Sequence, residues 1–183
     1  MNSAPSPDQP NPPHGKPLPG SAPARRPITV GFMLSHPAHF IALGFGSGLS
    51  PMGPGTVGTL FGWASYLVLS LYLSVSDWAV LLALSIVGGV WICGRTARAL
   101  GVSDPGSVVW DEIVAFWLVL LVVTPASFWG QCVAFLLFRF FDAVKPPPVR
   151  YFDRTVKGGL GIMLDDLVAA FCTLLVIALW HAL

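Results

Sequence analysis

Five long apolar stretches, at 57–75, 78–93, 108–124, 126–144 and 164–181, decide most of what this chain can fold into. A soluble domain of 183 residues has too little interior to hide them all. Hydrophobic residues make up 54% of the chain and charged residues 10%, against about 25% charged in an average soluble domain. A bilayer is the natural solvent for such a chain. An open sheet at bilayer depth leaves backbone groups unpaired at its edges. The expected fold is therefore all-α, an integral membrane bundle of about five membrane-embedded helices. Spanning takes about 17–25 residues per helix. The second, third and fifth stretches are marginal, so some of them tilt or span only in part.

Residues 1–27 differ in kind. Prolines recur from Pro5 to Pro27 with Gly, Ser and Asn between them. No apolar segment follows Met1 closely enough for a signal peptide. This tail reads as a disordered extension, with 28–183 as the membrane-embedded domain. The formal net charge of +1 comes without a basic stripe or a nucleic-acid motif, which sets nucleic-acid binding aside. Cys93, Cys132 and Cys172 are widely spaced in apolar surroundings. They read as buried thiols rather than a disulfide or zinc framework.

Basic residues set the orientation. Arg95 and Arg98 follow the second stretch, and Arg139, Lys145, Arg150, Arg154 and Lys157 lie at or between the fourth and fifth. The two remaining connections carry none. Alternating five spans places every basic residue on one side, the cytoplasm. Asp104, Asp111, Glu112, Asp142, Asp153, Asp165 and Asp166 fall near that same face. Charged side chains in a membrane protein are costly unless paired, hydrated or metal-bound, so this collection is a candidate site.

Three acidic clusters stand out: Asp111–Glu112, Asp142, and Asp165–Asp166. Two begin predicted helices, where the positive end of the helix dipole favours acids. That does not explain why each carries a second adjacent acid. Neighbours on a helix point about 100° apart, so each pair can send one carboxylate inward and keep another for a proton, a metal or a cation. Converging carboxylates suit Mg²⁺, which prefers hard oxygen ligands shared with water and phosphate. Arg139 and Lys145 flank Asp142 at three-residue spacing. They read either as local ion pairs or as a positive rim for a phosphate headgroup.

The run from Gly44 to Thr56 has five glycines and two prolines among small hydroxyls. It lacks the spacing of a dinucleotide fingerprint and the lysine of a P-loop. Thr56 reads as an N-cap for the first long helix. A Gly-rich loop feeding a helix is a ready anion site, with Ser47, Ser50 and Thr56 as substrate-binding hydroxyls. The plainer alternative is a re-entrant turn, with Gly58 and Gly62 serving close helix packing. His36 and His39 read as interfacial polar residues.

Three blocks together resemble the phosphatidylglycerophosphatase A family. They are GFGSGLSPMGPGTVG from Gly44 to Gly58, VWDEI at 109–113, and FRFFDAVKPPPVRYFDRTVKGGLGIMLDD from Phe138 to Asp166. The resemblance covers roughly 38–175. It implies an all-helical, Mg²⁺-dependent enzyme of the bacterial inner membrane that hydrolyses phosphatidylglycerophosphate to phosphatidylglycerol and inorganic phosphate. The matching acids are Asp111, Glu112, Asp142, Asp153, Asp165 and Asp166; the matching bases are Arg139, Lys145, Arg154 and Lys157. Residues and resemblance together give Glu112, Asp142, Asp165 and Asp166 as metal ligands. Asp111, Glu112 and Asp166 are then the catalytic acids, with Asp111 as base, and Arg139, Lys145, Arg154 and Lys157 meet the phosphate. The substrate is a membrane phospholipid and the active site faces the cytoplasm. Water or an aspartate could be the nucleophile. The DG-x₂-AR run of a CDP-alcohol phosphatidyltransferase is absent. The non-enzymatic alternative is a small helical carrier or assembly protein.

Overall fold

The computed structural model describes residues 27–182, so the reading of the proline-rich tail falls almost wholly outside the described residues. Among them there are helices and no strands. Two short helices, α1 (Val30–Leu34) and α2 (Pro37–Ala42), lead into a 3₁₀ segment, Gly44–Leu49. Then come α3 (Pro54–Leu69), α4 (Val75–Leu100), α5 (Trp110–Val123), α6 (Phe128–Val144), α7 (Pro147–Thr155) and α8 (Gly158–Ala182).

Two helices, α4 and α8, are long and apolar enough to cross a membrane. Their apolar side chains mostly point outward: Leu84, Val87, Phe171 and Trp180 are all exposed. A water-soluble fold does not leave so much apolar surface uncovered. The other three apolar stretches form helices of 16, 14 and 17 residues. At 1.5 Å per residue these reach roughly 21–25 Å, short of the ~30 Å of a hydrocarbon core.

The bundle is built around α5, which packs against α3, α4, α6 and α8. Ile113, Val114, Phe116, Val119 and Leu120 on α5 are fully buried. Such a helix, apolar on every side, belongs in the middle of a bundle. Helix ends are explicit in the sequence. Ser74 and Asp77 form a capping box that starts α4, and Gly101 in the left-handed conformation ends it. Lys145 ends α6 with φ 47°, and Pro146 follows, which cannot continue a helix.

Two boundaries differ from expectation. The first long helix starts at Pro54 with Gly53 as its cap, so Thr56 lies inside the first turn and is not the N-cap. Proline at the first helical position needs no N–H there, and that moves the start forward. The last helix starts at Gly158, so Asp165 and Asp166 lie about two turns inside it and not at its N-terminus. Gly159 makes this possible: a methyl there would overlap the Val90 carbonyl where α8 crosses α4. The helix dipole therefore does not account for the acids of α8. Cys93, Cys132 and Cys172 are free thiols.

Candidate active site

The acids gather at one end of the bundle, where α5 and α8 begin and α6 ends. Glu112 in the first turn of α5, Asp142 near the end of α6 and Asp166 of α8 each offer an oxygen within 4.8 Å of the others. They come from three helices whose packing alone brings them together. Asp142 and Asp166 are buried, and the Glu112 side chain is 13% exposed.

Arg139 lies between them. Its Nη1 reaches Asp142 Oδ2 at 2.6 Å and Glu112 Oε1 at 3.1 Å. The same nitrogen donates to Thr59 Oγ1 of α3 at 3.2 Å. The (i, i+3) spacing of Arg139 and Asp142 made the local pair legible in the sequence. The links to α3 and α5 were not. Three carboxylates against one guanidinium leave two formal negative charges in a largely buried space. Glu112 Oε2 and Asp166 Oδ2 are buried and have no hydrogen-bond partner among the described residues. Uncompensated buried charge and orphaned carboxylate oxygens are strongly unfavourable unless a cation or a proton neutralises them.

Asp111 and Asp165 sit beside this group and outside it. Asp111 is buried, its Oδ1 unpartnered among the described residues, and its charge interacts with those of Glu112 and Asp166. Asp165 Oδ2 accepts from Lys145 Nζ at 2.6 Å. Asp104 Oδ2 lies 4.0 Å from the same nitrogen, on the exposed side. The two adjacent pairs thus divide as their 100° offset implies. Glu112 and Asp166 face the three-acid group, while Asp111 and Asp165 face other surroundings.

The remaining expected residues are spread around the rim. Arg154 and Lys157 are exposed where α7 meets α8. Lys157, Asp104, Asp165 and Gly161 line a small cavity of about 30 Å³. Ser47 and Ser50 donate their hydroxyl hydrogens within the loop, to Gly44 O and Met52 O. Thr56 is exposed, next to Gly55. Gly55 itself presses on the site, since a methyl there would overlap the Glu112 carboxylate. The side chain of Asp153 lies outside the described residues. His39 is not interfacial: it is buried and bonded to Thr96 Oγ1 at 3.0 Å.

Thr59 and Gly55 were missed as members of the site. Their signal was present: Gly55, Gly58, Thr59 and Gly62 recur at helical spacing and mark a face where α3 approaches α5 closely. That spacing reveals packing, and nothing in it reveals which acid lies underneath.

Comparison with known proteins follows the same residues. The profile of the phosphatidylglycerophosphatase A family matches 40–181. A phosphatidylglycerophosphatase A of Escherichia coli (strain K12) is 44% identical over 137 residues, covering 74% of this chain and 78% of its own. That of Haemophilus influenzae (strain Rd) is 42% identical over 144 residues, covering 79% and 88%. A candidate phosphatidylinositol-3-phosphatase of Bacteroides thetaiotaomicron is 40% identical over 144 residues, covering 75% and 89%. No solved structure matches the chain.

Proposed function

The chain belongs to the phosphatidylglycerophosphatase A family, and on that premise we propose that it hydrolyses phosphatidylglycerophosphate to phosphatidylglycerol and inorganic phosphate. The observation that carries the chemistry is the buried convergence of Glu112, Asp142 and Asp166 with two negative charges in surplus. The donor set is all carboxylate oxygen, and two buried oxygens lack partners. These residues fit Mg²⁺ and would hold it. Bound there, the ion supplies positive charge to a phosphate oxygen.

The chain's own residues do the rest. Asp111, buried beside the group, takes the proton of the attacking water. Arg139 keeps the Glu112 and Asp142 oxygens in place and offers positive charge to the phosphate. Lys145, held by Asp165, is the second phosphate contact. Arg154, Lys157 and Thr56 form the rim over which the headgroup arrives, and Ser47 and Ser50 shape the loop beside it.

The substrate is a membrane lipid, and the outward apolar faces of α4 and α8 suit a bilayer. In this reading α3, α5 and α6 are also membrane-embedded, giving about five such helices, and the Gly/Pro-rich segment before α3 is re-entrant. Arg95, Arg98, Arg139, Lys145, Arg154 and Lys157 lie at the acid-bearing end. Positive-inside orientation then puts the site on the cytoplasmic face of a multi-pass inner-membrane protein.

The test is phosphate release from phosphatidylglycerophosphate by the full chain in detergent, with Mg²⁺ and with excess chelator. Release that needs Mg²⁺ and is lost in Glu112→Gln and Asp166→Asn is the expected result. No release from folded protein under any divalent metal rejects the reading.

A further inference from the structure

Arg139 contacts two of the three acids, Glu112 and Asp142, and what holds it there matters. Thr59 is fully buried on α3. Its hydroxyl donates its one hydrogen to Gly55 O, four residues back, at 2.9 Å. The oxygen is then free to act only as an acceptor, and the donor it meets is Arg139 Nη1 at 3.2 Å. The direction of this short chain is fixed from end to end: Arg139 donates to Thr59, which donates to Gly55.

Gly55 is also the residue against which the Glu112 carboxylate packs. The first two turns of α3 therefore touch both halves of the Arg139–Glu112 pair, one through a hydroxyl and one through the absence of a side chain. A guanidinium with two carboxylates alone for partners can follow either of them. A third, neutral partner on a different helix pins it between them. A buried hydrogen bond to a charged group is worth more than a neutral one, so this restraint is not minor.

We infer that Thr59 is a positioning residue, whose hydroxyl oxygen fixes the Arg139 guanidinium between Glu112 and Asp142. The inference rests on the site reading above, but its physical link can be tested apart from it. Thr59→Val keeps the shape and removes both the acceptor and the bond to Gly55 O, whereas Thr59→Ser keeps the hydroxyl and removes a methyl. In the full chain in detergent, Thr59→Val should lower phosphate release about tenfold, the loss expected of a residue that orients a site group. Thr59→Ser should stay within about twofold. In an Arg139→Gln background Thr59→Val should cost nothing further.

The second readout is thermal unfolding of chelator-treated protein. Thr59→Val should lower the midpoint by about 2–4 °C, and by clearly less in the Arg139→Gln background, where only the bond to Gly55 O is lost. Equal loss in Thr59→Val and Thr59→Ser means that packing, not the hydroxyl, matters, and overturns the inference. So does a wild-type-like Thr59→Val, or an additive double variant. If Thr59→Val fails to fold, Thr59→Ala against Thr59→Ser makes the same comparison. A wild-type protein that releases no phosphate defeats the functional reading alone, since the unfolding cycle still decides whether Thr59 holds Arg139.

Discussion

Lys145 and Asp165 meet at 2.6 Å, one positive charge against one negative, with Asp104 4.0 Å away on the exposed side. Around Arg139, at the same end of the bundle, the count is different. Glu112 and Asp142 share one guanidinium, Asp166 lies within reach of both acids, and the group is more deeply buried. In the first cluster the buried acid has a base, and the extra acid, Asp104, is exposed to water. On the proposed reading, a cation completes the second. Acids alone do not mark a metal site; buried acids in excess of their bases do. The difference also predicts opposite responses to the same chemical change, an acid turned into its amide.

The largest expected effect is at Asp166. Asp166→Asn should cut phosphate release by about 10³-fold, roughly 4 kcal/mol of transition-state stabilisation. In chelator-treated protein the same change removes surplus negative charge, so the unfolding midpoint should rise, by about 2–4 °C for each kcal/mol relieved. Added Mg²⁺ should raise the midpoint of the wild-type protein and leave that of Asp166→Asn almost unmoved, because only binding to the native state stabilises it. A fall in the metal-free midpoint of Asp166→Asn would show that the three acids are already balanced, and the comparison would break.

Arg139→Gln comes next. It raises the surplus from two charges to three, so the metal-free protein should be destabilised, by several °C. Release of phosphate should fall about 10²-fold. Asp165→Asn follows, with the opposite sign to Asp166→Asn. It takes the carboxylate from Lys145, so the metal-free midpoint should drop by a few °C and activity should fall only about threefold to tenfold. Measuring the three midpoints side by side in chelator tests the comparison directly: up for Asp166→Asn, down for Arg139→Gln and Asp165→Asn.

Much of this site was readable from residue order. The apolar runs gave the helices, and the doubled acids at 111–112 and 165–166 marked where carboxylates converge. The limits are physical. The stretch at 78–93 stops where Arg95 and Arg98 begin, yet α4 runs to Leu100, because polar side chains at a helix end cost the helix nothing. Helix α7 hides among Pro146, Pro147 and Pro148, which read as breakers although proline is at home in a first turn. Gly159 lies outside the apolar run that begins at 164, and it is the close crossing of α8 on α4. Asp165 was expected among the metal ligands. Spacing could place it one residue from Asp166 but could not reveal that its Oδ2 meets Lys145, twenty residues earlier.

The smallest expected effect sharpens the rule by giving an acid that needs neither metal nor base. Asp77 accepts from the backbone N–H of Ser74 at 2.9 Å, and the Ser74 hydroxyl accepts from the backbone N–H of Asp77 at 3.3 Å. This acid is exposed at the start of α4, where water and the unpaired N–H groups of the first turn meet its charge. Ser74→Ala breaks the box and should cost about 1 kcal/mol, or roughly 2–4 °C in the midpoint. Phosphate release should stay within about twofold, and the shift caused by added Mg²⁺ should equal that of the wild-type protein. An altered Mg²⁺ response in Ser74→Ala would mean that an acid solvated by water and backbone also reports on the cation. Burial and charge excess would then no longer separate the two kinds of acid.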